Sequence, residues 1–462
     1  MGPEVATISA LRARDVRAEQ PFLSRAWGLY VFAAVLLVPV VVPSGPGQLA
    51  IMDPINVVAL ACFLVAVLAR GAPFRLPFAL PLLLVSAGSL LAMTNSVSVT
   101  ASFMALAKDA YLYLWFAALV ELFHSRGDLR GLRLAWMGTA ILISLSVFVQ
   151  SIAGAGASVW DVLIAGRLRA NGTFYNPNMF ADYLMFSIFI LLGLEGQVRW
   201  RILGLSLVIL LMGVLSTKSN GGLISLGAGL LAWAPARALV GGVPRVRVGA
   251  VLILGLAIAL GAAWMHVEWG VGDALVRGLT QQSFVGRVAK SSQSREQIWH
   301  RLEETYTRSP LGIGPKNSAE QTLGVGARER PNSFLSKEAH DDYLAYAVER
   351  GPLGIAGLLL CLWQIFAMVI GSRRQLNERT GSVRAGGALW AALLGALVGT
   401  SVHSLVIEKL HFRHFWLFLA IVTALCSRAS TPGPVALAPE PRRIPDPAGD
   451  ARVAPRLAVE WP

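Results

Sequence analysis

Residues 351–370 read Gly351-Pro352-Leu353-Gly354-Ile355-Ala356-Gly357-Leu358-Leu359-Leu360-Cys361-Leu362-Trp363-Gln364-Ile365-Phe366-Ala367-Met368-Val369-Ile370, without one charged side chain. An α-helix of about 20 apolar residues spans the hydrocarbon core of a bilayer. Similar runs recur on both sides of it, along a chain of 462 residues. Hydrophobic residues make up 55% of the chain and charged residues 15%, and the mean hydropathy is +0.58. Soluble domains carry about 25% charged residues, so a soluble multidomain protein is excluded. Most of the surface must face lipid.

Twelve spans can be drawn, at 26–42, 54–69, 76–93, 101–122, 132–153, 178–194, 202–217, 221–237, 248–266, 351–370, 385–403 and 412–427. The polar N-terminal stretch with Arg12, Arg14, Arg17 and Arg25 is too long for a signal-peptide n-region, so the first run reads as an uncleaved span. An even count places both termini on one side. With the N-terminus cytoplasmic, the short inner loops carry fourteen cations: Arg70, Arg75, Arg126, Arg130, Arg133, Arg199, Arg201, Arg237, Arg245, Arg247, Arg373, Arg374, Arg379 and Arg384. The short outer loops carry five: Arg167, Arg169, Lys218, Lys409 and Arg413. That asymmetry is the positive-inside pattern. It also accounts for the net charge of +13, so no nucleic acid partner is called for. The three cysteines (Cys62, Cys361, Cys426) lie inside apolar runs and read as small packing residues, not as a disulfide or metal set.

The fold class is therefore an all-α polytopic membrane protein, with about 12 transmembrane helices and one long outer loop. It divides into an N-terminal cytoplasmic segment (1–25), spans one to nine (26–266), the loop (267–350), spans ten to twelve (351–427) and a tail (428–462). The loop carries eleven Lys/Arg and eleven Asp/Glu. Ile298, Trp299, Leu302 and Tyr306 recur in it at helical spacing, so it should be mostly helical. The Pro/Ala/Arg-rich tail reads as disordered and cytoplasmic. Gly221, Gly222, Gly227 and Gly229 should mark close helix contacts.

Charged groups within spans are rare and usually functional. Here they are Lys108, Asp109, Glu121, Asp182, Lys218 and His403, and all but Glu121 map near the outer face. Outward-facing arginines match phosphate oxygens with a planar fork of donors, although each alone is also what a snorkelling arginine looks like. Three fragments give them a setting. The first runs Arg167-Leu168-Arg169-Ala170-Asn171-Gly172-Thr173-Phe174-Tyr175-Asn176-Pro177-Asn178, with Asn178 placed to cap the next span and Asp182 one turn further on. The second is Ser294-Arg295-Glu296-Gln297-Ile298-Trp299, an amphipathic helix starting at Arg295 and ended by Ser309-Pro310-Leu311-Gly312-Ile313-Gly314. The third is Ala339-His340-Asp341-Asp342, leading into span ten. A histidine there can take a proton at neutral pH. The two aspartates read either as a helix cap or, weakly, as a divalent-cation pair.

Together, in this order, the fragments resemble the O-antigen ligase and O-antigen polymerase superfamily of bacterial envelope glycosyltransferases. The resemblance covers roughly residues 160–370. The chain departs from the family pattern twice. Ser216-Thr217-Lys218-Ser219 carries lysine where the family often has arginine, and His340 is followed by Asp341 where it often has asparagine. The resemblance implies transfer at the periplasmic face of the inner membrane, without metal or cofactor. The donor is a glycan on undecaprenyl diphosphate, the acceptor lipid A-core for a ligase or another glycan for a polymerase, and membrane lipids surround the site. It implies His340 as base, Arg169 and Arg295 as diphosphate clamps with Lys218 and Arg167 beside them, and Asp341, Asp182 and Asn178 in support. A transporter is the second reading, but no internal repeat supports it. A non-catalytic assembly protein would leave the cations and His340 unexplained.

Overall fold

The computed structural model describes residues 25–41, 50–70, 74–126, 129–155, 169–174, 176–241, 284–321 and 339–427. The segment 1–24, the ninth span, Arg167 and the tail 428–462 lie outside the described residues. In chain order the helices are α1 (Arg25–Leu37), α2 (Met52–Arg70), α3 (Ala79–Ala92), α4 (Val99–Arg126), α5 (Arg130–Ala155), α6 (Pro177–Leu192), α7 (Trp200–Thr217), α8 (Asn220–Val240), α9 (Phe284–Arg308), α10 (Ser318–Gln321), α11 (Asp342–Gly371), α12 (Arg373–Thr380), α13 (Val383–His403) and α14 (Arg413–Cys426). No β-sheet forms among the described residues. Seven of these helices (α2, α4, α5, α7, α8, α11 and α13) are long and apolar enough to cross a membrane, and α1, α3, α6 and α14 are shorter apolar helices. Each overlies one span drawn from the sequence. The protein is an all-α, multi-pass membrane protein.

The helices sort into a centre and a periphery. Every residue of α6 from Met179 to Leu191 is buried, and so is every residue of α14. A helix apolar all round belongs in the middle of a bundle. By contrast, Ile55, Val57, Val58, Val65 and Leu68 of α2, Ile202, Leu205 and Val208 of α7 and Leu359, Trp363 and Ile370 of α11 are exposed. So many large apolar side chains on an outer surface need a lipid solvent.

Helix contacts are made close by glycine. A Cβ on Gly229 of α8 would lie 2.6 Å from the carbonyl oxygen of Gly395 in α13 and 2.4 Å from the Phe189 ring of α6. Without lipid-exclusion energy to drive association, such backbone approach supplies the dispersion contacts that hold membrane helices together.

One helix start differs from that read in the sequence, and a second helix runs ahead of the span drawn on it. α9 begins at Phe284, eleven residues before Arg295, because no proline interrupts the helix upstream of its apolar stripe. α11 begins at Asp342, nine residues ahead of the span drawn from 351. Asp341 caps it by accepting the Tyr343 and Leu344 N–H groups at 2.8 and 3.0 Å, the first of the two readings given for the aspartate pair. The Gly351-Pro352 step kinks α11 without ending it. Gly351 sits at φ 64°, ψ −164°, a conformation open to glycine, and a Cβ there would meet the Leu311 carbonyl oxygen at 2.5 Å. The Gly312–Gly314 turn packs into this kink, with Ile313 N–H donating to Val348 C=O at 3.0 Å.

Gly229→Leu should lower the thermal midpoint of the detergent-solubilised protein, with overpacking costing about 1–3 kcal/mol. Gly138→Ala, where an added Cβ meets nothing within 4 Å, should leave it unchanged or slightly raised. Equal midpoints for the two variants would remove the close-packing account of the α8–α13 contact.

Candidate functional site

The segment before α6 is tied to the end of α7. Ala170 N–H donates to Ser216 C=O at 3.0 Å, and Arg169 Nε donates to Thr217 C=O at 3.0 Å. Arg169 Nη2 then reaches Asn178 Oδ1 at 3.0 Å, an oxygen that also accepts from Ser219 Oγ at 2.9 Å. Asn178 is therefore not the helix cap expected of it. Asn176 caps α6, accepting from Asn178 N–H at 2.8 Å, with Pro177 in the first helical position. Proline has no N–H to satisfy there, so the cap falls on Asn176, two residues before Asn178. That leaves the Asn178 side chain to orient Arg169.

α7 ends on Lys218, held at φ 51°, and Ser219 immediately caps α8 by accepting from Gly222 N–H at 3.2 Å. A lysine with positive φ is uncommon, and such strain concentrates at functional sites. Here it turns the chain between two helices and brings Lys218 to the same pocket as Arg169.

Arg295 comes from α9, whose apolar stripe is buried as the sequence implied. Ile298 and Leu302 pack with Ile313, Ala345 and Val348, and Trp299, Tyr306 and Leu344 close the cluster. Trp299 Nε1 donates to Ala339 C=O at 2.9 Å, fixing α9 to the turn that carries His340. Burial pushes the Arg295 guanidinium below its ordinary value, though from so high a start that it stays charged.

Arg169, Lys218 and Arg295 line one pocket together with Asn178, Ser219, Asn220, Gly221, His403, Val406 and Ile407. None of these carries a carboxylate. His340 is not among them. It occupies the adjoining turn at φ 55°, and its N–H donates to Glu408 Oε1 at 3.2 Å. Asp341 beside it is committed to capping, and burial raises its carboxyl above the ordinary value.

Beneath the pocket lies a buried charge network. Asp182, with no exposed surface, accepts from His403 Nδ1 at 2.6 Å, Lys409 Nζ at 3.0 Å and His414 Nε2 at 3.0 Å. Lys409 also donates to Thr400 Oγ1. Burial pulls the Lys409 ammonium below its ordinary value while Asp182 opposes it. Two of the five outer cations are thus corrected from headgroup candidates to internal partners. Lys409 pairs with Asp182, and Arg413 pairs with Asp53 of α2.

A second polar cavity adjoins the segment 404–412, lined by Lys108, Asp109, Lys316, Asp342, Tyr346, Glu349, Arg350, Glu408 and His411 among others. It is cross-linked internally. Arg350 pairs with Asp109 at 2.5 Å and donates to Ser89 Oγ at 2.7 Å, and Glu349 accepts from Ser318 Oγ at 2.6 Å.

His403 is the pocket residue that sequence reasoning named only as an in-span polar group. Its signal was a titratable side chain at the outer end of a span. Its partner Asp182 stands 221 residues away, which no local spacing reveals. Asp182→Ala should destabilise the protein by about 3–5 kcal/mol, because a buried ammonium loses its counter-charge. The Asp182→Leu, Lys409→Met double variant should recover most of that loss. Thermal melts in detergent compare them, and a double variant no more stable than the single one would count against the pairing account.

Residues 205–359 match the protein-family model described as O-antigen ligase. The match takes in Lys218, Arg295 and His340 and leaves out Arg169, Asp182 and His403. No curated protein matches the chain. The resemblance to the O-antigen ligase and polymerase superfamily drawn from the three motifs is borne out.

Proposed function

We propose that this protein, a membrane glycan enzyme of the O-antigen ligase and polymerase type, moves a glycan from undecaprenyl diphosphate to a sugar hydroxyl at the periplasmic face of the inner membrane. One observation carries the reading: three cationic side chains from separate parts of the chain line a single pocket whose described lining holds no carboxylate. Such a pocket suits a polyanion, and a diphosphate at the membrane–water boundary is one. The charge asymmetry of the short loops supports a pocket on the outer side.

The leaving diphosphate gains negative charge as the anomeric bond breaks. Fixed cations in a partly buried site stabilise that charge without reorganising at the moment of reaction. Arg169 and Arg295 present forks that match phosphate oxygens, and Lys218 adds a point charge. This electrostatic work is what a divalent cation does elsewhere, so the transfer should survive chelation. His340, on the turn that Trp299 ties to the Arg295 helix, is assigned as base for the acceptor hydroxyl. The exposed apolar helix faces give the polyprenyl chain a surface to lie along. Ligase-type transfer to lipid A-core is the reading, and the polymerase alternative differs in the acceptor alone.

The test uses protein purified in detergent, an undecaprenyl diphosphate-linked glycan and chelator, with and without lipid A-core. A single transfer that needs lipid A-core identifies a ligase, and a ladder without it identifies a polymerase. Arg169→Ala and Arg295→Ala should each lower kcat by roughly 10²–10³, and His340→Ala by roughly 10²–10⁴. Lys218→Arg should retain most activity. Folded protein that makes neither product, or transfer abolished by chelator, would overturn the reading.

A further inference from the structure

The second histidine deserves a role of its own. His403 lies at the C-terminal end of α13, and its ring reaches the cation pocket. The carboxylate of Asp182 only accepts, so the His403 nitrogen 2.6 Å from it, Nδ1, must carry a proton. Nε2 is then the nitrogen left for the pocket. It lies on the Gly221 side, 3.4 Å from where a Cβ on that glycine would sit, and makes no hydrogen bond among the described residues. Asp182 and Lys409 balance each other's charge, so with the pocket empty both His403 and His414 serve as neutral N–H donors to the carboxylate. A neutral His403 presents a lone pair to the pocket. An anion seated among Arg169, Lys218 and Arg295 would be repelled by that lone pair, and attracted once Nε2 is protonated, with Asp182 below to stabilise the imidazolium.

We propose that His403 is the proton donor to the leaving diphosphate, oriented by Asp182 and charged when the lipid-linked donor binds. The proposal rests on the glycan-transfer reading above and extends it to a division of labour between two histidines. The acceptor O–H bond breaks and its proton passes to His340. The acceptor oxygen bonds the anomeric carbon, and the bond from that carbon to the phosphate oxygen breaks with its electron pair on the diphosphate. Nε2–H of His403 delivers its proton to that oxygen. Both imidazoles return to their starting state by exchange with solvent. His403 shares the pocket of the diphosphate, so its place is on the leaving side of the sugar. His340 lies outside that lining, where the acceptor approaches.

Titration of His403 is set by Asp182 of α6, Lys409 of the 404–412 segment, His414 of α14 through the shared carboxylate, Lys218 between α7 and α8, Arg169 before α6 and Arg295 of α9. The required form is protonated, so the transfer rate should fall as pH rises through the His403 pKa of the loaded enzyme. His340 must be neutral, so the rate should also fall at low pH. In His403→Gln the alkaline fall should vanish, with kcat lowered roughly 10²-fold and KM for the donor nearly unchanged, because glutamine still offers an N–H to phosphate. His340→Ala should keep the alkaline fall. The wild-type protein supplies a check that needs no variant. Undecaprenyl diphosphate bearing one N-acetylglucosamine has no phosphate that titrates near neutral pH. Its binding, measured calorimetrically without acceptor in buffers of different ionisation heat, should be accompanied by proton uptake.

Wild-type enzyme that transfers glycan but binds this probe without proton uptake would overturn the His403 assignment and leave the function standing. A His403→Gln enzyme with the wild-type pH profile would do the same. Wild-type protein that neither transfers glycan nor binds the probe would overturn both.

Discussion

Asp182 has no surface exposed to solvent, yet three side chains from α13, α14 and the segment between them converge on its two oxygens. A carboxylate at that depth is tolerable only when its charge is matched and its lone pairs are filled. Lys409 supplies the charge and the two imidazoles fill the rest. The consequence is geometric. α6 and α14 are held at fixed depth against the end of α13, and His403 can turn only one edge toward the cation pocket. The pocket's floor is therefore as rigid as the ion pair beneath it.

The cations are placed by a different device. Arg169, Lys218 and Arg295 stand at chain turns or on a helix outside the spans, and each is positioned by backbone groups or by an amide. Arg169 is braced by Thr217 C=O and Asn178, Lys218 by its strained position at the end of α7, and Arg295 by the helix that Trp299 fastens to Ala339. A carboxylate among them would cancel the field that a diphosphate needs. The acids near the pocket lie below it, at Asp182, or line the second cavity, at Asp342, Glu349 and Glu408. Separation of sign, more than the number of charges, makes the pocket fit for an anion.

The helices were legible because lipid as solvent imposes length and apolarity on each span, and those are local properties. The same holds for the α9 stripe, where Ile298, Leu302 and Tyr306 recur on one face. Arg169, Lys218 and Arg295 could be named from motif order, and they line one pocket. Three features were hidden. The cap of α6 fell on Asn176 because Pro177 displaces it, a competition between two good caps two residues apart. α11 runs through Gly351-Pro352 because the Gly312 turn packs into the kink. His403, Lys409 and Arg413 read as surface cations or lone in-span groups because their acidic partners are separated from them by hundreds of residues. Burial decided their roles, and burial is a property of the packed bundle.

The segment 404–412 joins these parts into one mechanical unit. Its first residue accepts from Asp342 N–H at 2.8 Å, Glu408 accepts from His340 N–H, and the backbone N–H of Lys409 returns to the Asp342 carboxylate at 3.1 Å. Its side chains at 406 and 407 face the cation pocket and those at 408, 410 and 411 face the second cavity. The turn that carries His340 is thus bonded to the wall beside His403, five residues before Glu408. A displacement of this wall would move the proposed base and the proposed proton donor together, keeping their spacing across a bound sugar. Separate loops, each free to drift, would have to be brought into register anew in every catalytic cycle. Cross-bonding through Asp342 and Glu408 removes that requirement.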